Sequence, residues 1–271
     1  MKIAQVAPLI ESVPPQLYGG TERVVSYLTE ELVRQGHEVT LFASGDSKTS
    51  AQLVASVPRA LRLDPEVKDY VPYAILQLEH LRRRADEFDV IHFHSDFMHL
   101  PLVRALMPDR AVTTMHGRLD LPDYKALFAE FADAPLISIS NHQRTPLAHA
   151  NWQATVYHGL PTSVCRFEPN PKGDYFAFLG RISPEKRPDR AIEIARRAGV
   201  KLKMAAKVDV VDEPYFRREI EPLLSQTHVE FIGEIDEHQK SEFLGQARAL
   251  LFPIDWPEPF GLVMIEAMSC G

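Results

Sequence analysis

The chain has 271 residues, 45% of them hydrophobic and 25% charged, with a net charge of −7. This fits one large globular domain or two smaller ones and offers no basic face for nucleic acid, since Arg82-Arg83-Arg84 is one short cluster suited to a solvated helix. Cys165 and Cys270 make no disulfide framework, no apolar run approaches the roughly 20 residues of a membrane span, and the opening MKIAQVAPLI is too soon interrupted by proline for a signal peptide, so a reducing, cytoplasmic setting is expected.

The stretch KIAQVAP is a short apolar run and reads as a buried strand. A loop with two prolines and two glycines follows, LIESVPPQLYGG. In TERVVSYLTEELVRQG, Val24, Val25, Leu28, Leu32 and Val33 recur at helical spacing, and Gly36 stands where a helix ends on a left-handed residue. HEVTLFAS, DVIHFHS, RAVTTMH and APLISIS read as further strands, each followed by a helical stretch. That alternation predicts βαβ units and a parallel, doubly wound sheet.

Prolines and glycines then cluster between His158 and Asp174, as expected of a boundary, which is placed between residues 164 and 165. A second series begins with the strand YFAFLG, the helix SPEKRPDRAIEIARRAG and the strand VKLKMAA. DEPYFRREIEPLLSQ reads as helical despite Pro222, followed by the strand HVEFIG, the helix DEHQKSEFLGQA and the strand RALLFPI. The expected organisation is α/β throughout, with residues 1–164 and 165–271 each forming a doubly wound domain. Such sheets bind ligands at the carboxyl ends of their strands, where strand order reverses, and a ligand between two of them would lie in a cleft.

Four stretches carry candidate chemistry. In YGGTERV, Gly19 and Gly20 lie between a strand and a helix. They form either a plain turn or a place where bare backbone and a helix N-terminus approach an anion. Neither a G-x-G-x-x-G fingerprint nor a P-loop is present. In LGRISPEKR, Gly180 and Arg181 end a strand and Lys186 precedes the next helix. Two cations there are either solvated charges or a diphosphate clamp, and Arg187 leaves open which side chain reaches inward. In TMHGRLD, His116 sits at a strand's carboxyl end, either packed locally or hydrogen-bonded to a ligand hydroxyl or developing charge. His92 and His94 share one face of their strand, lack a third metal ligand by spacing, and fit supporting roles. Finally, Glu258 precedes FGLVMIEAM, a segment apolar nearly all round that reads as a buried helix from Phe260 to Met268. Glu266 on it needs a partner and could accept two hydrogen bonds from the adjacent hydroxyls of a ribose. The backbone N–H groups of Phe260, Gly261 and Leu262, without helical partners, can donate to a ligand.

In combination these motifs resemble those of the retaining glycosyltransferases of family 4, a large group with the GT-B fold. EPFGLVMIE resembles the family's E-x7-E motif, GRISPEK its diphosphate-binding G-R-x4-K, and YGGTERVVSYLTEELVRQGHEVTLFAS its glycine loop and first helix. The resemblance covers the whole chain. It implies two Rossmann-like domains and a UDP- or GDP-linked sugar as donor substrate, with no cofactor and no metal. Glu266 would bind the ribose and Glu258 the transferred sugar. Arg181 and Lys186 would bind the diphosphate near Gly19, Gly20 and Gly180, and His116 would lie close to the sugar. The acceptor would be a glycan, a lipid or a small molecule, with peripheral membrane contact among the partner classes. Transfer would retain the anomeric configuration by front-face attack, the departing phosphate helping to deprotonate the acceptor.

In the family, further strands and helices follow the E-x7-E helix. The chain is therefore expected to be a shortened form, impaired in transfer and associating as a homodimer through the second domain around residues 248–270. The alternatives are a non-catalytic nucleotide-sugar binder, a subunit completed by a second chain, or an epimerase or phosphorylase of the same fold.

Overall fold

The computed structural model describes residues 1–271. It divides into two compact units, Met1–His158 and Gly159–Gly271, so the division falls inside the proline- and glycine-rich stretch but ahead of the expected 164/165 boundary.

The first unit is a seven-stranded parallel sheet. Its strands are β1 (Lys2–Val6), β2 (Glu38–Ser44), β3 (Gln52–Val57), β4 (Val90–Phe93), β5 (Ala111–Met115), β6 (Leu136–Ser138) and β7 (Trp152–Thr155), in the order β3-β2-β1-β4-β5-β6-β7. Helices α1 (Gly20–Arg34), α2 (Val71–Arg82), α3 (Leu100–Leu106) and α4 (Pro122–Glu130) connect them. The central strands are apolar because both faces are covered. Ala4, Val6, Phe42, Ile91 and Phe93 pack with Leu81 and Phe88, while Ala7, Leu41 and Ala43 pack with Val25 of α1. The edge strands β3 and β7 were not legible as apolar runs, because each is only partly buried. On α1 the stripe of valines and leucines gives one fully buried side chain, Val25. Ser26, Thr29, Glu22 and Arg23 share the inner face. Gly36 closes the helix at φ 85°, as its position predicts.

The second unit has the parallel order β10-β9-β8-β11, from β8 (Tyr175–Arg181), β9 (Lys201–Lys207), β10 (Val229–Gly233) and β11 (Ala249–Leu250). Helix α5 (Pro188–Ala198) buries Ala191, Ile192 and Ala195 against Phe178, Leu202 and Met204. The helix expected around Pro222 is broken into α6 (Glu213–Tyr215), a π-helical turn (Phe216–Ile220) and a 3-10 turn (Glu221–Ser225). Pro222 lacks the N–H for a regular ladder and its ring crowds the carbonyl four residues back. Helix α7 (Glu237–Gly245) starts on a full capping box, with Asp236 accepting from Gln239 N at 2.9 Å and Gln239 accepting from Asp236 N at 3.0 Å.

Two expectations are corrected here. The strand RALLFPI shortens to the two residues of β11, and the chain runs on from it as loop. Helix α8 spans Leu262–Cys270 rather than starting at Phe260, and it is only partly buried. Glu266 and Cys270 are buried, whereas Met268 is 70% exposed. Gly261 turns the chain into α8 at φ 84°, and a Cβ there would stand 2.7 Å from Met264 Cε. Only glycine suits that corner. No helix is long and apolar enough to cross a membrane.

In both sheets the first strand lies between two later strands: β1 between β2 and β4, β8 between β9 and β11. Strand order reverses there, so the carboxyl ends of β1 and β4, and of β8 and β11, are where open α/β sheets leave a crevice.

Candidate functional site

At the first of these edges, in the Met1–His158 unit, β1, β4 and β5 deliver a chain of hydrogen-bonded rings. Gln5 on β1 faces His94, with Oε1 to Nε2 at 2.7 Å, and His94 Nδ1 lies 2.9 Å from His116 Nε2. With Gln5 Oε1 accepting, His94 carries its proton on Nε2 and accepts from His116 Nε2–H. His116 Nδ1 is then a buried lone pair with no partner. His158 stacks on His116 with ring centroids 5.3 Å apart, and His92 lies 4.1 Å from His94 while bonding Thr114 Oγ1 at 2.7 Å. Burial holds all of these rings neutral. His92 and His158 are pushed down to about 4, and His94 and His116 fall well below the usual histidine range. His92 and His94 thus have the supporting place their alternation suggested.

Asp96 lines the same crevice as His116, and desolvation by the surrounding protein raises its carboxyl above the ordinary range. Gly19 caps α1, which has no side-chain cap, and a Cβ at Gly19 would come within 2.7 Å of Pro15 Cβ. Its glycine is therefore required by close packing of the loop, whatever approaches the helix from outside.

In the Gly159–Gly271 unit, the second edge gathers the candidate cations. Arg181 ends β8 and is in register with Lys207 at the end of β9. Arg181 pairs with Glu185 and lies 3.7 Å from Asp209 and 3.6 Å from Asp212, while Lys207 Nζ is 2.6 Å from Asp209. Asp212 is raised from the ordinary carboxyl range by burial, with Glu185 and Asp209 adding to it against the pull of Arg181. Lys186 reaches Glu258 in a direct ion pair and lies 4.9 Å from the centre of the Trp256 ring. Trp256 Nε1 donates to the same Glu258 carboxylate at 2.9 Å. Arg187 turns away to Asp189 at 2.7 Å and Asp255 at 3.0 Å. A Cβ built on Gly180 would meet nothing within 4 Å, so that glycine borders open space.

Glu266 lies apart from this cluster in its contacts. It is 4% exposed and bonds Lys240 Nζ of α7 at 2.5 Å. Glu237 is a second carboxylate for that ammonium, at 3.3 Å. The partner that a buried carboxylate requires is thus a lysine of the same unit. The N-terminus of α8, beginning at Leu262 after Phe260 and Gly261, has no side-chain cap.

Sequence reasoning missed Gln5, Asp96, Lys207, Lys240 and Trp256. Lys207 had a usable signal, because parallel pairing of LGR with AAK sets two strand ends side by side. Gln5 had one too, as the lone polar residue inside an apolar strand. No set of three or more His, Cys, Asp or Glu side chains is arranged to hold a metal ion. Cys165 and Cys270 are buried, and burial pushes the Cys165 thiol up to about 12.

Comparison with known proteins matches residues 18–155 to the model described as Glycosyltransferase Family 4 and residues 166–271 to Glycosyl transferases group 1. The chain is similar along its whole length to the phosphatidyl-myo-inositol mannosyltransferases of Propionibacterium freudenreichii subsp. shermanii, at 25% identity, and Mycolicibacterium smegmatis, at 26%. It covers 75% and 74% of those relatives. Among solved structures, AviGT4, a glycosyltransferase involved in avilamycin A biosynthesis, is 26% identical at a TM-score of 0.69, covering 98% of this chain and 76% of that one. Sucrose-phosphate synthase from Thermosynechococcus elongatus shares the fold at a TM-score of 0.74 and 17% identity, covering 100% of this chain and 79% of that one.

Proposed function

Because this chain belongs to glycosyltransferase family 4, a GT-B glycosyltransferase whose second unit matches the group 1 transferases, we propose that it moves a hexose from a UDP- or GDP-linked donor to an acceptor hydroxyl, with retention at the anomeric carbon. The observation that carries the reading is that Arg181 and Lys207 stand in register at the carboxyl ends of β8 and β9, with Lys186 in the turn after β8 and Glu258 held between Lys186 and Trp256. Two cations at strand ends and a third in the turn that follows are what a diphosphate needs as it takes up charge on leaving. Each is already oriented by a carboxylate: Arg181 by Glu185, Lys186 by Glu258 and Lys207 by Asp209. The diphosphate oxygens would replace those carboxylates in part, at little cost in ordering the side chains.

In this reading Arg181 binds bidentately and Lys186 and Lys207 act as point charges. Glu258 holds hydroxyls of the transferred sugar, and Glu266 with the N–H groups of Phe260, Gly261 and Leu262 holds the nucleoside and phosphate. Gly180 leaves room for the donor. Neutral His116 accepts a hydroxyl hydrogen bond through Nδ1, the atom left without a partner in the ring chain. The charges needed for the leaving group come from side chains, so no metal is assigned. The mannosyltransferases among the relatives support a hexose donor.

The test is turnover of UDP- and GDP-hexoses by the purified chain, read as released nucleoside diphosphate, with the product's anomeric configuration read by proton NMR. Release with an α-linked product from an α-linked donor supports the reading. Saturable binding with no release on any donor would move the chain to the class of non-catalytic nucleotide-sugar binders, and an inverted product would remove retention.

A further inference from the structure

The chain between β11 and α8 is pinned to the turn that carries Lys186. Asp255 N donates to Glu185 O at 2.9 Å, and the Asp255 carboxylate accepts from Arg187 at 3.0 Å and Arg190 at 2.8 Å. Beyond it, Glu258 N donates to Trp256 O at 2.9 Å, which folds the chain back and sets the two side chains together. Trp256 then meets two residues of the proposed site at once. The centre of its ring lies 4.9 Å from Lys186 Nζ, and its Nε1–H donates to Glu258 Oε2 at 2.9 Å. Phe252 offers the same ammonium a second ring, at 5.9 Å. An aromatic face attracts a cation, while the indole N–H on the ring's edge can only donate. Lys186 also bonds Oε2, so both partners hold one oxygen of Glu258, and Oε1 is left to accept from a sugar hydroxyl.

Resting on the transferase reading, we propose that Trp256 is a positioning residue, which keeps Glu258 aimed at the transferred sugar when the donor parts Glu258 from Lys186. In the structure those two pair with each other, their side chains 16% and 15% exposed. A bound diphosphate draws the ammonium toward its own oxygens. A largely buried carboxylate that loses its cation is costly and would swing toward water. The Trp256 N–H does not depend on Lys186, so it stays on Oε2 and Oε1 keeps its direction. The same exchange takes the ammonium off the indole face. Trp256 thus acts through Glu258 and senses the donor through Lys186.

The test is a double-mutant cycle on the release of nucleoside diphosphate from UDP-glucose and GDP-mannose, with calorimetric binding of UDP and GDP to each variant. Trp256→Phe keeps a ring beside Lys186 and loses the N–H. It is expected to lower kcat at least tenfold on the donor the parent uses and to leave diphosphate affinity within threefold. Glu258→Ala should also lower kcat, and adding Trp256→Phe to it should cost less than a further twofold, because the N–H then has no carboxylate to hold. Losses that multiply in the double variant, an unchanged kcat in Trp256→Phe, or diphosphate affinity falling as far as kcat overturn the proposal. A second measurement leaves Trp256 in place. In Trp152→Phe, whose one tryptophan is Trp256, saturating UDP or GDP should shift the emission as Lys186 leaves the ring, by more than uridine or guanosine does. Emission that ignores a bound diphosphate overturns the proposal as well. A parent chain that turns over no donor removes the transferase reading itself, whereas turnover with multiplying losses removes the role of Trp256 alone.

Discussion

Removing the Glu266 carboxylate tests whether the pair joining α7 to α8 is a structural charge pair. Lys240 and Glu266 are 7% and 4% exposed, with Nζ and Oε1 2.5 Å apart. Glu266→Ala leaves a buried ammonium, and breaking such a pair from one side costs roughly 3–5 kcal/mol. Glu237, 3.3 Å from Nζ, can take part of the load, so the expected loss is near the low end, about 3 kcal/mol. With a urea slope of about 2 kcal/mol per molar, the unfolding midpoint should fall by roughly 1.5 M. Replacing both residues by methionine removes the buried charges together and should restore most of the loss, since well-packed apolar substitutes for buried pairs are close to neutral. The chain's two tryptophans, Trp152 and Trp256, lie one in each unit. A Trp152→Phe background therefore lets fluorescence follow the second unit alone. A Glu266→Ala midpoint within about 0.3 M of the parent, or a double variant as unstable as the single one, would refute the pair's structural role. The experiment also sets a condition on any binding study. A loss of nucleotide affinity in Glu266→Ala speaks to ribose contact only where the variant is shown to be folded.

Three further outcomes are expected. Stability of the first unit should fall as pH drops from about 6.5 to 4, because unfolded histidines take up protons there, whereas folding holds His92 and His158 at about 4. Unfolding midpoints that stay flat over that window would contradict the buried ring chain. Arg181→Ala and Lys186→Ala should each weaken nucleoside diphosphate binding by roughly tenfold or more while leaving nucleoside binding nearly unchanged, and EDTA should change neither. Equal losses for both ligands would point to misfolding. The chain should self-associate through the second unit, where Met268 is 70% exposed and β11 is the outer strand. Light scattering should show mass rising with concentration and Met268→Glu reducing it, and a constant monomer mass would sink that expectation.

The parts of the fold that were legible in the sequence are those where one physical term dominates. KIAQVAP and HEVTLFAS are apolar because helices cover both faces of the sheet, so their periodicity alone identifies them. The edge strands β3 and β7 are partly exposed and mixed in composition, and only pairing with a neighbour makes them strands. For α8 the apolar count was misleading. Nearly every residue is hydrophobic, yet the helix turns Glu266 inward because Lys240 awaits it there, and no spacing rule links positions in two different helices. The candidate site divides the same way. Arg181, Lys186 and Glu258 were named from motif spacing, and the structure brings Lys186 and Glu258 into contact. Gln5 and Asp96 act through side-chain geometry across neighbouring strands and loops, which a linear reading does not hold.

The central claim is that the β8–β11 edge recognises a diphosphate. Calorimetric titration of the unmodified chain with UDP, GDP, uridine and guanosine tests it most directly. The account predicts that one diphosphate binds at least tenfold tighter than its nucleoside, about 1.4 kcal/mol or more, and at about 100 times its Kd adds about 2.7 kcal/mol to stability. A diphosphate that binds no better than its nucleoside, or no binding of either nucleotide, would contradict it.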